Sequence, residues 1–240
     1  MKYNFRDAII ELIKNEHPFY TNLLANMAKM PNPEIPTTRV CCEKDIIWLE
    51  YNPKLLEENS LQVFVAMLVH ECEHVAKLFF ERRGDRDVQV FNVAQDIAIN
   101  SYIPNFPDHI VINGQKTEPC TAKNHQTIQG KSTDIPLENS LSEDNYEKLI
   151  PYKPKMKHKS YCEQPKGASK TDTEKLKYIA HRTLRDTFSK YGSLPGSLQN
   201  QYLSHEKDKV PWQILLRNFV TSNTSSETKR TWSRLSRRFS

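Results

Sequence analysis

No apolar run in the 240 residues reaches the roughly 20 residues that a membrane-spanning helix needs. Mean hydropathy is −0.68, that of a rather polar chain, so a soluble protein is expected. The opening stretch, MKYNFRDAIIELIKNEHPFY, lacks the uninterrupted apolar core of a signal peptide and carries acidic residues inside an amphipathic pattern, which makes the cytoplasm the expected location. There is no CxxC pair. The five cysteines (Cys41, Cys42, Cys72, Cys120 and Cys162) are odd in number and scattered, which argues against a fully paired disulfide framework and for reduced thiols. Internal repeats are absent as well. Acidic residues nearly vanish near the end: from Lys209 onward, Arg217, Lys229, Arg230, Arg234, Arg237 and Arg238 face Glu227 alone. Such a tail suits nucleic acid or an acidic protein, but charge alone implies neither, and the overall formal charge is only +5. Nucleic acid and membrane are therefore not expected partners.

What the chain does have is helical periodicity. Residues 4 to 29 read as one helix or two short ones, closed by Pro31, Pro33 and Pro36; Thr37 to Cys42 and Ile46 to Tyr51 read as two strands joined by a turn. The segment from about Leu61 to Arg83 is the longest convincing helix, apolar around much of its circumference and so expected to be buried. Beyond the Gly84 turn, Val88 to about Tyr102 reads as another helix, with Asn92, Asp96 and Asn100 four apart along one stripe. Residues 104 to 170 are punctuated by prolines and read as long loops with a short helix near Leu141 to Leu149. Regularity returns at 172 to 192, closed by Gly192, and in a short helix from Pro211 to Val220.

The longest helix carries the chemistry, as His70-Glu71-Cys72-Glu73-His74. A helix repeats every 3.6 residues, so His70 and His74 stack on one face, where two imidazoles can grip one metal ion. Glu71 lies beside that face as the candidate general base for a metal-activated water. Cys72 turns partly away and reads as a structural thiol. Two histidines and a glutamate in a buried helix need partners, because unpaired polar groups in a core are expensive. Neutral imidazoles suit Zn2+, and the site calls for a further ligand. The HExxHxxGxxH pattern fails, since Phe80 stands where its third histidine would be. Glu81 is nearly two turns beyond His74, roughly 10 Å along the axis, and Asp85 and Asp87 sit in the turn. Asp96 is the leading third ligand, reachable if the next helix returns antiparallel, and His109 is the alternative. Asn92 and Asn100 are candidates to hydrogen-bond a ligand or orient an imidazole.

The stretch FVAMLVHECEHVAKLFFERRGDRDVQVFNVAQDIAIN, with its HExxH helix, Arg-rich turn and Asn92-x-Ala94-x-Asp96 run ending in Asn100, resembles the core of a metallopeptidase domain found at the N-terminus of bacterial and phage proteins that often continue into a von Willebrand factor A-like domain. GSLPGS, VPWQILLRNFV and TWSRLSRRFS are similar to later parts of the same domain. The resemblance covers most of residues 1 to 240, with 104 to 170 the least distinctive. It implies an α+β, zincin-like fold, predominantly helical, with a small mixed β-sheet packed on the HExxH helix. The expected organisation is one domain over 1–240, with 104–170 as a loop-rich insert governing access to the site and 171–240 as a C-terminal helical subregion. Leu78 stands where the family often has a further histidine, and the von Willebrand factor A-type domain implied as a partner is not within these residues.

The expected function is zinc-dependent hydrolysis of a peptide bond in a peptide or protein substrate, by a monomer. A different amide hydrolase, a catalytically inactive zinc-binding scaffold and a protein-interaction module compete with it. Glu71 favours catalysis, because a purely structural site has no use for a carboxylate beside the metal-bound water.

Overall fold

A computed structural model describes residues 3–14, 18–43, 46–122, 127–128, 131–132, 141–155, 170–195 and 198. The expected Pro211–Val220 helix, Trp212, Cys162 and the basic tail lie outside them. All that follows belongs to the unit Met1–His205.

Two helices open the chain, α1 (Phe5–Lys14) and α2 (Pro18–Ala25). The segment up to residue 29 is not helical throughout: Ala28–Pro31 forms a strand, β1. Strands β2 (Thr38–Glu43) and β3 (Ile46–Tyr51) follow, and the sheet order is β1-β3-β2, with β1 parallel and β2 antiparallel to β3. This is a small mixed sheet. After the short helix α3 (Lys54–Glu58) comes α4 (Leu61–Ala76), whose Ser60 cap accepts from Val63 N at 3.3 Å and so satisfies one of the orphan donors of the first turn.

The expected single helix to Arg83 is broken. Leu78 adopts a left-handed conformation, φ 55°, that ends α4 and starts a short helix α5 (Phe79–Arg82). Left-handed backbone is costly for a non-glycine residue, and here it accompanies the complete burial of Phe79 against the His74 ring, 5.3 Å between centroids, and the Phe91 ring, 5.8 Å. Asp87 caps α6 (Val88–Asn100), accepting from Val90 N at 3.1 Å.

Among the described residues between 104 and 155, short strands and a helix stand where the sequence reads largely as loop. Ile110–Ile112 (β4) and Gln115–Thr117 (β5) form a hairpin across Asn113 and Gly114, both at positive φ, the conformation that a tight two-residue turn requires. A two-residue pairing of Thr127–Ile128 (β6) with Lys131–Ser132 (β7) follows, then α7 (Ser142–Leu149) at the expected short helix. The last described helix is α8 (Lys170–Tyr191), ended by Gly192 at φ 70°. Helices and small sheets make an α+β fold. Among the described residues no helix is long and apolar enough to cross a membrane, and Cys41, Cys42, Cys72 and Cys120 carry free thiols.

The core is built around α4, with Phe64, Leu68, Cys72 and Ala76 at or near zero exposure among residues of α1, α2, the sheet and α8. A second cluster joins Val90, Val93, Ala94 and Ile97 of α6 to Ala122 and to Leu149 of α7. One charged group on α4 is buried away from the histidines. Tyr20 of α2 donates its hydroxyl to Glu73 Oε1 at 2.7 Å, and Lys77 Nζ lies 3.1 Å from Glu73 Oε2. Burial, followed by the Glu73 charge, pushes the Tyr20 phenol well above its ordinary pKa, so it stays a donor. Removing that donor leaves the buried carboxylate with less compensation. Tyr20→Phe is expected to destabilise the protein by about 2 kcal/mol in urea unfolding, the usual cost of losing a buried hydrogen bond to a charged group. A change below about 0.5 kcal/mol would show that Lys77 alone suffices.

Candidate metal centre

The histidines of α4 and the polar residues of α6 meet in reversed order: His70 faces Asn100, while His74 faces Gln95 and Asp96. The two helices therefore run antiparallel here, the return that Asp96 required. His70 Nε2 and His74 Nε2 stand 2.9 Å apart. Asp96 Oδ1 is 3.1 Å from His74 Nε2 and 3.5 Å from His70 Nε2. Among the described residues, this is the group of histidine, cysteine and carboxylate side chains that could hold a metal ion.

The spacing suits that role. Zinc bonds of about 2.0–2.1 Å at tetrahedral angles put neighbouring ligand atoms about 3.3 Å apart, and the three observed separations of 2.9, 3.1 and 3.5 Å bracket this value. The group is also buried: the side chains of His74, Asp96 and His70 are 2%, 11% and 13% exposed.

Hydrogen bonds at the far side of each ring set the tautomers. Asn100 Nδ2 donates to the Cys120 carbonyl at 2.7 Å, which turns its Oδ1 toward His70. His70 Nδ1–H must therefore donate to Asn100 Oδ1, at 2.6 Å, and its Nε2 lone pair points into the cluster. His74 Nδ1 makes a longer contact of the same sense, 3.4 Å, to Gln95 Oε1. Both supports are neutral amides. Phe79 and Phe106 wall the rings, with centroids 5.3 Å from His74 and 6.1 Å from His70.

Without a cation, protons must hold this cluster together. Burial pulls the His70 pKa down, but the hydrogen bond and charge of Asp96 outweigh it and, with Glu71 and Asn100, raise it to about 9. Burial acts upward on Asp96, and its hydrogen bonds to His70 and His74, with their charges, hold its carboxyl well below the usual range.

Glu71 is not one of the converging ligands, although its charge is felt at His70. Its carboxylate is 2% exposed and accepts a hydrogen bond from the hydroxyl of Thr38, in β2, at 2.8 Å. Among the other sequence candidates, Asn92 is wholly buried in α6. His109 is exposed and stands outside the converging group, and Glu81 is an ion-pair partner of Lys177 at 3.0 Å. Cys72 is buried, its Sγ 4.0 Å from the Tyr20 carbonyl. Tyr51 packs on Phe5 and Phe64, the Tyr102 ring lies under Lys77, and the Tyr146 hydroxyl accepts from Asp87 N. Gln95 and Thr38 are not among the sequence candidates. Neither residue type is a usual zinc ligand, and Thr38 lies 33 residues from its partner.

The class that fold and site define together is a helical α+β domain with a candidate two-histidine, one-carboxylate metal centre. The chain belongs to the family described as "Putative metallopeptidase domain", whose profile matches residues 1–107 and 158–240. It is also similar to an uncharacterized protein of Thermotoga maritima, 23% identical over 247 residues. That match takes in 95% of this chain and 61% of the relative, so the chain spans less than two thirds of the relative's length. No solved structure matches.

The pKa shifts give the metal-free protein a definite pH dependence. His70, raised above its ordinary 6.5, contributes stability that is fully present below about pH 6.5 and lost as pH rises through about 9. Asp96, lowered, contributes stability present above its ordinary 3.8 and lost in more acidic solution. Thermal unfolding of chelator-treated protein should therefore show a plateau between about pH 4 and 6.5, with a fall on the alkaline side that Asp96→Asn removes. An alkaline limb unchanged by Asp96→Asn would contradict the coupling.

Proposed function

We propose that this chain is a zincin-like, zinc-dependent peptidase that hydrolyses peptide bonds in a peptide or protein substrate. The observation that carries the reading is the convergence of His70 Nε2, His74 Nε2 and Asp96 Oδ1 beside the motif glutamate, in a member of a metallopeptidase-type family. Imidazole, imidazole and carboxylate form a donor set typical of catalytic zinc, which keeps a further position for water or substrate. When bound, the metal supplies Lewis-acid activation of water and of the scissile carbonyl.

The chain's own residues do the rest. His70 and His74 offer Nε2 because Asn100 and Gln95 occupy the Nδ1 side. Asp96 brings one negative charge to a dication and Glu71 a second, so the site is formally neutral with its base ionised. Glu71, as general base, accepts the proton of the attacking water and passes it to the leaving amine, so that the amine departs neutral. Phe79 and Phe106 limit water around the rings, which strengthens every charge interaction inside. A von Willebrand factor A-type domain is the proposed partner.

Protein purified without added metal should contain about one zinc per chain by elemental analysis, and Asp96→Ala should lose most of it. Peptide-library digestion supplies the substrate. Glu71→Gln then keeps the zinc while kcat falls by about 10²–10⁴-fold, the loss expected for a positioned general base. Negligible metal with no thermal stabilisation by added zinc would remove the site assignment. Stoichiometric zinc with no cleavage of any peptide would leave a metal-binding scaffold.

A further inference from the structure

The HExxH helix meets α6 on its histidine side and the sheet on another, and its glutamate is hydrogen-bonded on the sheet side. Successive residues on a helix are rotated by about 100°. When His70 and His74 face α6, the residue that follows His70, Glu71, therefore comes round to β2, where it meets Thr38 at 2.8 Å. Both side chains are essentially sealed from solvent, 2% and 3% exposed. A carboxylate carried into such a place needs hydrogen-bond donors if it is to stay ionised and keep one orientation.

We infer that Thr38 is a positioning residue for Glu71: its hydroxyl holds Oε1 and thereby fixes the plane and rotamer of the carboxylate, which stands close enough to His70 for its charge to be felt there. The inference rests on the reading of Glu71 as general base. Three features of the fold suit Thr38 to the task. Its backbone is pinned by the register that pairs Thr38 with Tyr51 on β3, and by the bond from Asn52 N to the Thr37 carbonyl at 2.9 Å. Its β-branched side chain has few χ1 options, so the hydroxyl does not wander. It also comes from a different element from either ligand helix, so the sheet aligns the base independently of the ligands.

The test uses the zinc-loaded chain and three variants. Thr38→Val keeps the shape and deletes the hydroxyl, Thr38→Ser keeps the hydroxyl on a freer stem, and Thr38→Val is also combined with Glu71→Gln. Thr38→Val should lower kcat about 10–100-fold, with KM and zinc affinity within about twofold. Thr38→Ser should recover most of that loss. Added to Glu71→Gln, Thr38→Val should cost nothing further, because the group it positions is gone. Crystal structures of zinc-loaded wild type and Thr38→Val should show the Glu71 carboxylate re-oriented in the variant. The idea is overturned if kcat survives Thr38→Val, if zinc affinity and kcat fall in parallel, if the two substitutions multiply, or if Glu71 keeps its orientation without the hydroxyl. Should Thr38→Val not fold, Thr38→Ala in the same cycle decides. If the wild type cleaves no peptide at all, it is the proposed function that fails, and the crystallographic comparison alone then decides whether Thr38 orients Glu71.

Discussion

Three lone-pair atoms, His70 Nε2, His74 Nε2 and Asp96 Oδ1, are pressed to within 2.9–3.5 Å of one another in a largely buried place, and they repel one another unless a cation lies among them. Protons can serve, which is why His70 is driven up and Asp96 down. A divalent ion serves better, since it satisfies all three at once in a geometry already close to its own. The rest of the fold can be read as what keeps these atoms from moving apart. The core around α4 fixes the two histidines, and the antiparallel return of α6 fixes the aspartate. Asn100 and Gln95 stop the imidazoles from rotating.

Helix α4 does this by giving each side a separate task. His70 and His74 go to α6, Glu71 to β2, and Glu73 to Tyr20 of α2. A helix with four polar residues in five positions is expensive to bury, and each of these side chains meets a partner on one of three neighbouring elements, α6, β2 or α2. That distribution also keeps the charges apart in function. Glu73 is neutralised locally by Lys77 and held by a phenol, which leaves Glu71 and Asp96 as the negative charges that act on His70.

Much of this was legible in the sequence where the signal was local and periodic. The spacing of His70 and His74, the i, i+4 stripe of Asn92, Asp96 and Asn100, the strand pair and α8 all follow from short-range pattern. The features that escaped depend on distant partners or on unfavoured backbone. Four-residue β1 exists because β3 offers it a parallel edge, and Ala28 to Pro31 carries no alternation that announces a strand. The break at Leu78 has no glycine or proline to mark it, and burial of Phe79 accompanies it. Thr38 and Gln95 matter through what they touch, and their residue types say nothing of it. One miss had a printed signal: Asn113-Gly114 between short apolar runs is a strong hairpin marker within a stretch otherwise read as loop.

That stretch bears on the site more directly than its irregular sequence suggests. The family profile passes over residues 108–157, yet among the described ones Cys120, Ala122 and α7 pack against α6, the helix that carries Asp96. Leu149 and Ala122 close the apolar cluster over Val90, Val93 and Ile97. Asn145 donates to the Ala94 carbonyl at 3.3 Å, and Glu143 pairs with Arg82 just before the turn into α6. The Cys120 carbonyl receives the Asn100 amide and so decides which face of that amide meets His70. A segment that the family profile passes over thus sets, through one backbone oxygen, the tautomer of a histidine that lies within the matched residues. A relative that lacks it needs another acceptor for the Asn100 amide, or a different group behind its first histidine.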